Sequence, residues 1–380
     1  MHYRARFWIL ITMMILASGC IIYRMVSLHI LQRDFLLEQS NARIRRVVNI
    51  PAHRGMILDR NGKPLAISAQ VTSAWVNPQL FPATQENLHA LAALLDTSSW
   101  KLKHALQLYH NRSFMYLKRD IPPDCGAKLQ ALDLPGLFLE DGYKRYYPES
   151  DVMAHVVGFT NIDDTGQEGL ELAYDKYLRG VPGKKEVVKD RRGHIIAELN
   201  SILAPEEGHD LTLSVDSGLQ YLAYSELCRA IEEYQARSGS VVVLDVKTGE
   251  VLAMVNFPSF NPNHIDNTHD GRLRNRAVTD QFEPGSTIKA FSMTAILASH
   301  KYRPTDTINT SPGWMMLDGN VIKDVSNHGV LTVSEVMTKS SNIGFAIMAT
   351  HILDDKIYNT FRDFGFGQST YSGFPGESAG

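Results

Sequence analysis

The sequence predicts an α+β protein of two folded regions behind one apolar N-terminal helix. Three observations carry that prediction. An unbroken apolar run follows the first basic residues. Strand-like runs joined by turn residues alternate with helical periodicities along the rest of the chain. The 380 residues are 44 % hydrophobic and 21 % charged, enough for two cores of ordinary globular composition.

The apolar run extends from Phe7 to about Tyr23 behind Arg4 and Arg6. It is long enough for a short membrane-spanning helix, and a buried N-terminal helix fits poorly because no face of the run is polar. The "ASGC" at 17–20 resembles a lipoprotein cleavage site only loosely, because apolar residues continue beyond Cys20; an uncleaved anchor fits better. By the positive-inside rule Arg4 and Arg6 hold residues 1–6 in the cytoplasm, so the remainder is extracytoplasmic. The expected organisation is a cytoplasmic 1–6, an anchor at 7–23, a first region at 24–205 and a second at 206–380.

Within the first region, residues 24–45 read as a helical stalk. In "RGMILDRNGKPLAIS" (54–68), Asn61-Gly62 between apolar runs predicts a hairpin whose two central residues take positive φ. Residues 84–109 have helical periodicity, and 166–185 read as a helix bounded by glycines. In the second region Asp216 is placed to cap a long helix. Its inward face is predicted as Leu219, Leu222, Ala223, Leu227, Ala230, Ile231 and Tyr234. "SVVVLDVKTGEVLAMV" (240–255) predicts a buried antiparallel hairpin turning at Lys247-Thr248-Gly249. A helix opened by Ser286 follows, with Phe291, Ala295 and Ile296 inward.

Several chemistries are excluded. A formal net charge of −3 gives no reason to expect nucleic acid, and "RIRR" (43–46) is a short solvated basic face. Cys20, Cys125 and Cys228 are too sparse for a disulfide framework. Neither they nor His264 and His269 have metal-site spacing, so no metal is expected.

The chemistry lies in "QFEPGSTIKAFSMTAIL" (281–297). Pro284-Gly285 breaks the chain, so Ser286 falls in the first helical turn. Unpaired N–H groups and the helix dipole there favour a developing alkoxide. Lys289, at i+3, lies beside it, and a desolvated lysine can act as base. On spacing alone, a serine at a helix start is usually only a cap. "TKSSN" (338–342) adds Ser340-Ser341-Asn342 before a further apolar helix, again readable as a cap or as a polar wall of the same pocket.

Ser-x-x-Lys followed by Ser-x-Asn is the pairing of penicillin-binding proteins and serine β-lactamases. The chain closely resembles class B penicillin-binding proteins over essentially its whole length. The resemblance rests on the anchor, "AHRGMILDRNGKPLA" (52–66), "KRYYPES" (144–150), "AHVVGFTN" (154–161), "GQEGLE" (166–171), "DRRG" (190–193), "GSVVVLDVKTGEVLAMVNFPSFNPN" (239–263), "RNRAVTDQFEPGSTIK" (274–289) and "KSSN" (339–342). Within the class, the "HRGMILDRNG" and "RNRAVTDQFEPGSTIK" segments point to the septal, cell-division transpeptidase.

The resemblance implies a β-rich pedestal (dimerisation-type) domain and a penicillin-binding transpeptidase domain in the bacterial inner membrane, bulk periplasmic. Ser286 would attack the penultimate D-Ala carbonyl of a peptidoglycan stem peptide, with Lys289 taking its proton. Ser340 and Asn342 would complete the relay and bind substrate, and β-lactams would acylate the same serine. No cofactor is implied. Implied partners are division-complex membrane proteins, including a lipid-linked glycan polymerase. The family's third element, Lys-Thr-Gly, should follow Ser-x-Asn far downstream, where it walls the cleft and supplies an oxyanion-hole donor worth about 10²–10³ in rate. The sequence ends at Gly380 without it, and Lys247-Thr248-Gly249 reads as turn chemistry only. The expectation is therefore of a catalytic domain cut short, from a fragment or an interrupted gene, and impaired by itself. Alternatives are a non-catalytic divisome-binding fragment and a D,D-carboxypeptidase or β-lactamase relative.

Overall fold

An apolar N-terminus with no buried face forms one helix, His2–Val26, which passes into a π-helical turn at Ser27–Leu31. This computed structural model describes residues 2–34, 45–189, 195–265, 271–352 and 354–380. Phe7–Ile30 is a 24-residue helical span whose apolar stretch reaches a mean hydropathy of 2.0 and is not buried. At 1.5 Å per residue that is about 36 Å, enough to cross the hydrocarbon core of a bilayer. The rest of the expected stalk, 35–44, lies outside the described residues, as does "DRRG" at 190–193.

The remainder is α+β and divides into two units: Met1–Glu149 with Phe159–Gln167 and Tyr174–Ser214, and Ser150–Gly158 with Glu168–Ala173 and Val215–Gly380.

In the first unit the long strand Pro64–Val76 is the spine of a sheet. It pairs antiparallel with Ile57–Leu58, Met115–Ile121 and Leu137–Tyr146, and Leu211–Thr212 adds in parallel to Ile57–Leu58. Helical residues Leu88, Leu91, Leu95, Leu102, Leu106 and Leu129 bury against Ala74, Val76, Ile121 and Leu137. Fully burying each such side chain contributes about 1.5–3 kcal/mol. A second antiparallel sheet joins Arg45–Ile50, Gly183–Lys189 and Ile195–Leu203.

Three local expectations are corrected here. The hairpin at 57–66 forms, but of its turn residues only Gly62 takes positive φ (82°). The buried Asp59 carboxylate organises the turn instead, accepting from Asn61 N and Lys63 N at 2.8 Å. Gly62 N closes a four-residue turn on Asp59 O at 3.0 Å, and glycine then supplies the left-handed residue. The 84–109 segment is two helices, Gln85–Leu95 and Ser99–Leu108, separated where Asp96 turns left-handed (φ 50°) and Ser98 caps the second. The 166–185 helix is instead a strand at Gly166–Glu168, two short helical turns at Gly169–Ala173 and Asp175–Leu178, and the start of the Gly183–Lys189 strand.

In the second unit Asp216 caps Ser217–Tyr234 as expected, accepting from Gly218 N (2.9 Å) and Leu219 N (3.1 Å). The buried face of that helix differs from the expectation. Leu219, Leu222 and Tyr234 are exposed, whereas Gln220, 1 % exposed, joins Leu227 and Ile231 inside. A buried glutamine is tolerated because its amide is satisfied. It donates to Val152 O and Met254 O at 2.9 Å and accepts from Met254 N at 2.8 Å. The hairpin Gly239–Leu244/Val251–Phe257 forms with Val242 opposite Met254. Only its second strand is buried: Val242 and Leu244 of the first are about half exposed, so the fully buried hairpin is corrected. Lys247-Thr248-Gly249 sits in its turn. Asp245 accepts from Lys247 N and Thr248 N, and Gly249 takes φ 78°.

The core that carries the site packs the helix Lys289–Ala298 against Val333–Thr338 and Asn342–Thr350. Met293 and Ile296 meet Ile308, Leu331, Val336, Phe345 and Met348. Phe291 packs edge-on against Phe364 and Phe366, so Asp363-Phe364-Gly365 is a packing element.

Candidate active site

Ser286 was expected in the first turn of an α-helix. It lies instead in a 3₁₀ turn, Gly285–Ile288, entered through Gly285 at φ 59°; the α-helix begins at Lys289. The difference matters, because 3₁₀ geometry eclipses residues i and i+3 and so sets Lys289 over Ser286. No side chain caps this helical start, so the Ser286 hydroxyl is not occupied by capping. It is exposed and accepts from Ser340 Oγ at 3.0 Å.

The segment before Ser286 is fixed from the hairpin. Buried Asn256 donates Nδ2 to Asn275 Oδ1 (2.9 Å) and accepts from Ala277 N (2.8 Å). Arg274 and Arg276 both pair with Asp280.

Ser340, Ser341 and Asn342 form the junction between two helices. The helix Val333–Thr338 ends in a Schellman arrangement. Ser341 N bonds Val336 O at 3.0 Å and Ser340 N bonds Met337 O at 3.1 Å, with Ser340 left-handed at φ 55°. Glycine is the usual residue there; a side chain in that conformation costs about 1–2 kcal/mol. The two readings of "SSN" divide between neighbours. Ser341 is the cap of Asn342–Thr350, accepting from Gly344 N at 2.9 Å, and is 1 % exposed. Ser340 and Asn342 face Lys289.

Lys289 Nζ donates to Ser340 O (2.7 Å), Ser340 Oγ (3.1 Å) and Asn342 Oδ1 (2.6 Å), so its three N–H donors meet three acceptors. The ammonium also lies 5.5 Å from the centre of the Phe345 ring. Among the described residues no hydrogen bond joins Lys289 to Ser286 directly; the connection runs Lys289–Ser340–Ser286. Partial burial pulls the Lys289 pKa below the ordinary lysine value, opposed by the negative charge of Asp324.

The sequence reading missed Lys323 and Asp324. Asn342 Nδ2 donates to Lys323 O at 2.7 Å, and Asp324 accepts from Ser341 Oγ (2.5 Å) and Ile343 N (3.1 Å). Both close the strand pair Trp314–Leu317/Asn320–Lys323. A signal for that hairpin existed: Asp318-Gly319, both at positive φ here, is a preferred two-residue turn. Nothing local marked the contacts to residues 341–343.

Among the described residues no group of three or more His, Cys, Asp or Glu could hold a metal. A cavity of about 430 Å³ lined by His155, Glu168, Asn275, Thr279 and Phe374 contains none of the four predicted site residues.

Two family models match the chain: the penicillin binding protein transpeptidase domain over residues 239–380, and the penicillin-binding protein dimerisation domain over 49–213. The chain belongs to the class B penicillin-binding proteins. This penicillin-binding protein is 40 % identical over 375 residues to a probable peptidoglycan D,D-transpeptidase, PbpC, of Pseudomonas aeruginosa, covering 99 % of the chain and 66 % of the relative. It is 38 % identical over 380 residues to the peptidoglycan D,D-transpeptidase FtsI of Escherichia coli, covering 99 % and 64 %. It thus spans about two thirds of the length of these relatives. Its fold matches that of penicillin-binding protein 2 in complex with MreC from Helicobacter pylori (TM-score 0.70, 23 % identity, 89 % of this chain and 69 % of that one). A peptidoglycan synthetase from Bifidobacterium adolescentis matches at TM-score 0.62 and 25 % identity, over 88 % and 66 %.

Proposed function

We propose that this penicillin-binding protein is a serine D,D-transpeptidase that cross-links peptidoglycan stem peptides at the division septum. The observation that carries the reading is the hydrogen-bonded chain Lys289–Ser340–Ser286. Hydroxyl hydrogens rotate, so the chain can run either way. In the resting direction Lys289 donates to Ser340 and Ser340 to Ser286. Reversed, the Ser286 proton passes to Ser340 and the Ser340 proton to a neutral Lys289.

Ser286 Oγ then bonds to the penultimate D-Ala carbonyl carbon. The tetrahedral adduct collapses, the D-Ala–D-Ala amide bond breaks, and the leaving amine takes a proton back through the same chain. An amine from a second stem peptide attacks the Ser286 ester, forming the cross-link and restoring the hydroxyl. Asn342, tied to Lys289 and Lys323, is the group proposed to orient a substrate amide. A β-lactam would acylate Ser286 by the same first step. The lowered Lys289 pKa supports its role as base.

The apolar window Phe7–Ile30 supports a single-pass inner-membrane anchor, with 1–6 cytoplasmic, 24–205 as pedestal and 206–380 as the transpeptidase region. A second role proposed for the pedestal, implied by the family resemblance, is binding division proteins such as a lipid-linked glycan polymerase. Co-purification of the full chain with that polymerase checks it; no co-purification from crosslinked dividing cells counts against it.

Fluorescent penicillin tests the catalytic reading. Membranes containing the chain should give a covalent band that Ser286→Ala loses. A band of equal strength in that variant would remove Ser286 as nucleophile.

A further inference from the structure

We propose that Asp324 is a positioning residue for the acylation step, holding the Ser340-Ser341-Asn342 junction in register. The inference rests on the transpeptidase reading above. Its basis is geometric. The two carboxylate oxygens of Asp324 take separate hydrogen bonds, from Ser341 Oγ and from Ile343 N, on either side of Asn342. The preceding residue accepts from the Asn342 amide itself. Lys323 and Asp324, consecutive at the end of one strand, therefore grip the three consecutive residues Ser341, Asn342 and Ile343.

The grip is needed because Ser340 is held left-handed, a conformation that a side chain disfavours and that surrounding structure must enforce. Ser341 transmits the restraint. Its hydroxyl donates to Asp324 while accepting from Gly344 N, so the negative charge is coupled to the start of the helix Asn342–Thr350, where the dipole favours it. Neither Ser341 nor Asp324 touches Ser286.

The negative charge of Asp324 also opposes the lowering of the Lys289 pKa by burial. The other contacts of Lys289 are neutral: Ser340, Asn342 and the Phe345 ring. On the neighbouring elements, Lys323 and Lys339 are exposed and Glu335 closes a capping box on Thr332. Removing the Asp324 charge should therefore shift the Lys289 titration to lower pH.

Three full-length variants, assayed for penicillin acylation rate against pH, separate this positioning from the charge effect. Asp324→Asn should lower the plateau rate roughly tenfold or more and move the acid limb to lower pH. Ser341→Ala, which keeps the charge, should lower the plateau and leave the limb in place. Asp324→Glu should restore the limb more fully than the rate. In parallel, pH-dependent labelling of Lys289 by an amine-reactive reagent, read by peptide mass spectrometry, follows its titration whether or not the chain is acylated. An unchanged rate and limb in Asp324→Asn, with wild type acylated at Ser286, overturns the inference and leaves the transpeptidase reading standing. A wild type with no Ser286-dependent acylation overturns that reading.

Discussion

Two serines stand just before apolar helices, and only one of them is taken up by capping. Ser341 is buried, accepts from Gly344 N and donates to Asp324, so its oxygen is fully engaged in starting a helix. Ser286 is exposed, caps nothing, and its described hydrogen bond comes from another hydroxyl that is itself bound to an ammonium. The difference lies in the backbone. A residue in the extended region just outside a helix turns its oxygen back onto the helical N–H groups, as Ser341 does at φ −66°, ψ 116°. Ser286 is already inside a 3₁₀ turn, and its hydroxyl makes no cap bond to those groups.

The largest expected effects would break this contrast outright. Lys289→Ala and Ser286→Ala should each reduce penicillin acylation by on the order of 10³ or more, measured as covalent label against time. Ser340→Gly sharpens it. The change relieves the left-handed strain and should raise stability by about 1 kcal/mol in chemical denaturation, while removing the relay and lowering acylation by about 10²–10³. A variant that lost both stability and rate would show that Ser340 is structural. Ser341→Ala should do the reverse of Ser286→Ala, destabilising by roughly 1–2 kcal/mol while Ser286 still acylates, though more slowly. Ser286→Ala should change stability by less than about 0.5 kcal/mol.

The pH dependence follows from the same geometry. Protonated Lys289 cannot accept the Ser286 proton, so acylation should rise with pH and level off above a pKa lower than that of a free lysine. A rate independent of pH across that range would remove Lys289 as base. The smallest effect concerns a cap with no catalytic neighbour: Asp216→Ala should cost about 1 kcal/mol and leave the acylation rate unchanged.

Legibility in the sequence followed the range of the interactions. The Asp216 cap and the Gly239–Phe257 hairpin depend on neighbours within a few residues, and local pattern found them, whereas Ser286 and Lys289 are joined only through Ser340, more than fifty residues on. Gln220 was missed on its helix because the backbone groups that satisfy it belong to Val152 and Met254. The break between Gln85–Leu95 and Ser99–Leu108 had its signal in "DTSS", but apolar periodicity continues across it and masks the stop. Asp324 carried no local mark at all, because its partners lie on a helix that the chain forms later.

The most direct test of the account is peptide mapping after reaction with penicillin, carried out on the wild type and on Ser341→Ala. The account predicts the adduct on the Ser286 peptide in both proteins, and no adduct in Ser286→Ala. An adduct on Ser340 or Ser341, or one that persists in Ser286→Ala, would contradict the division of roles between the free serine and the capping serine.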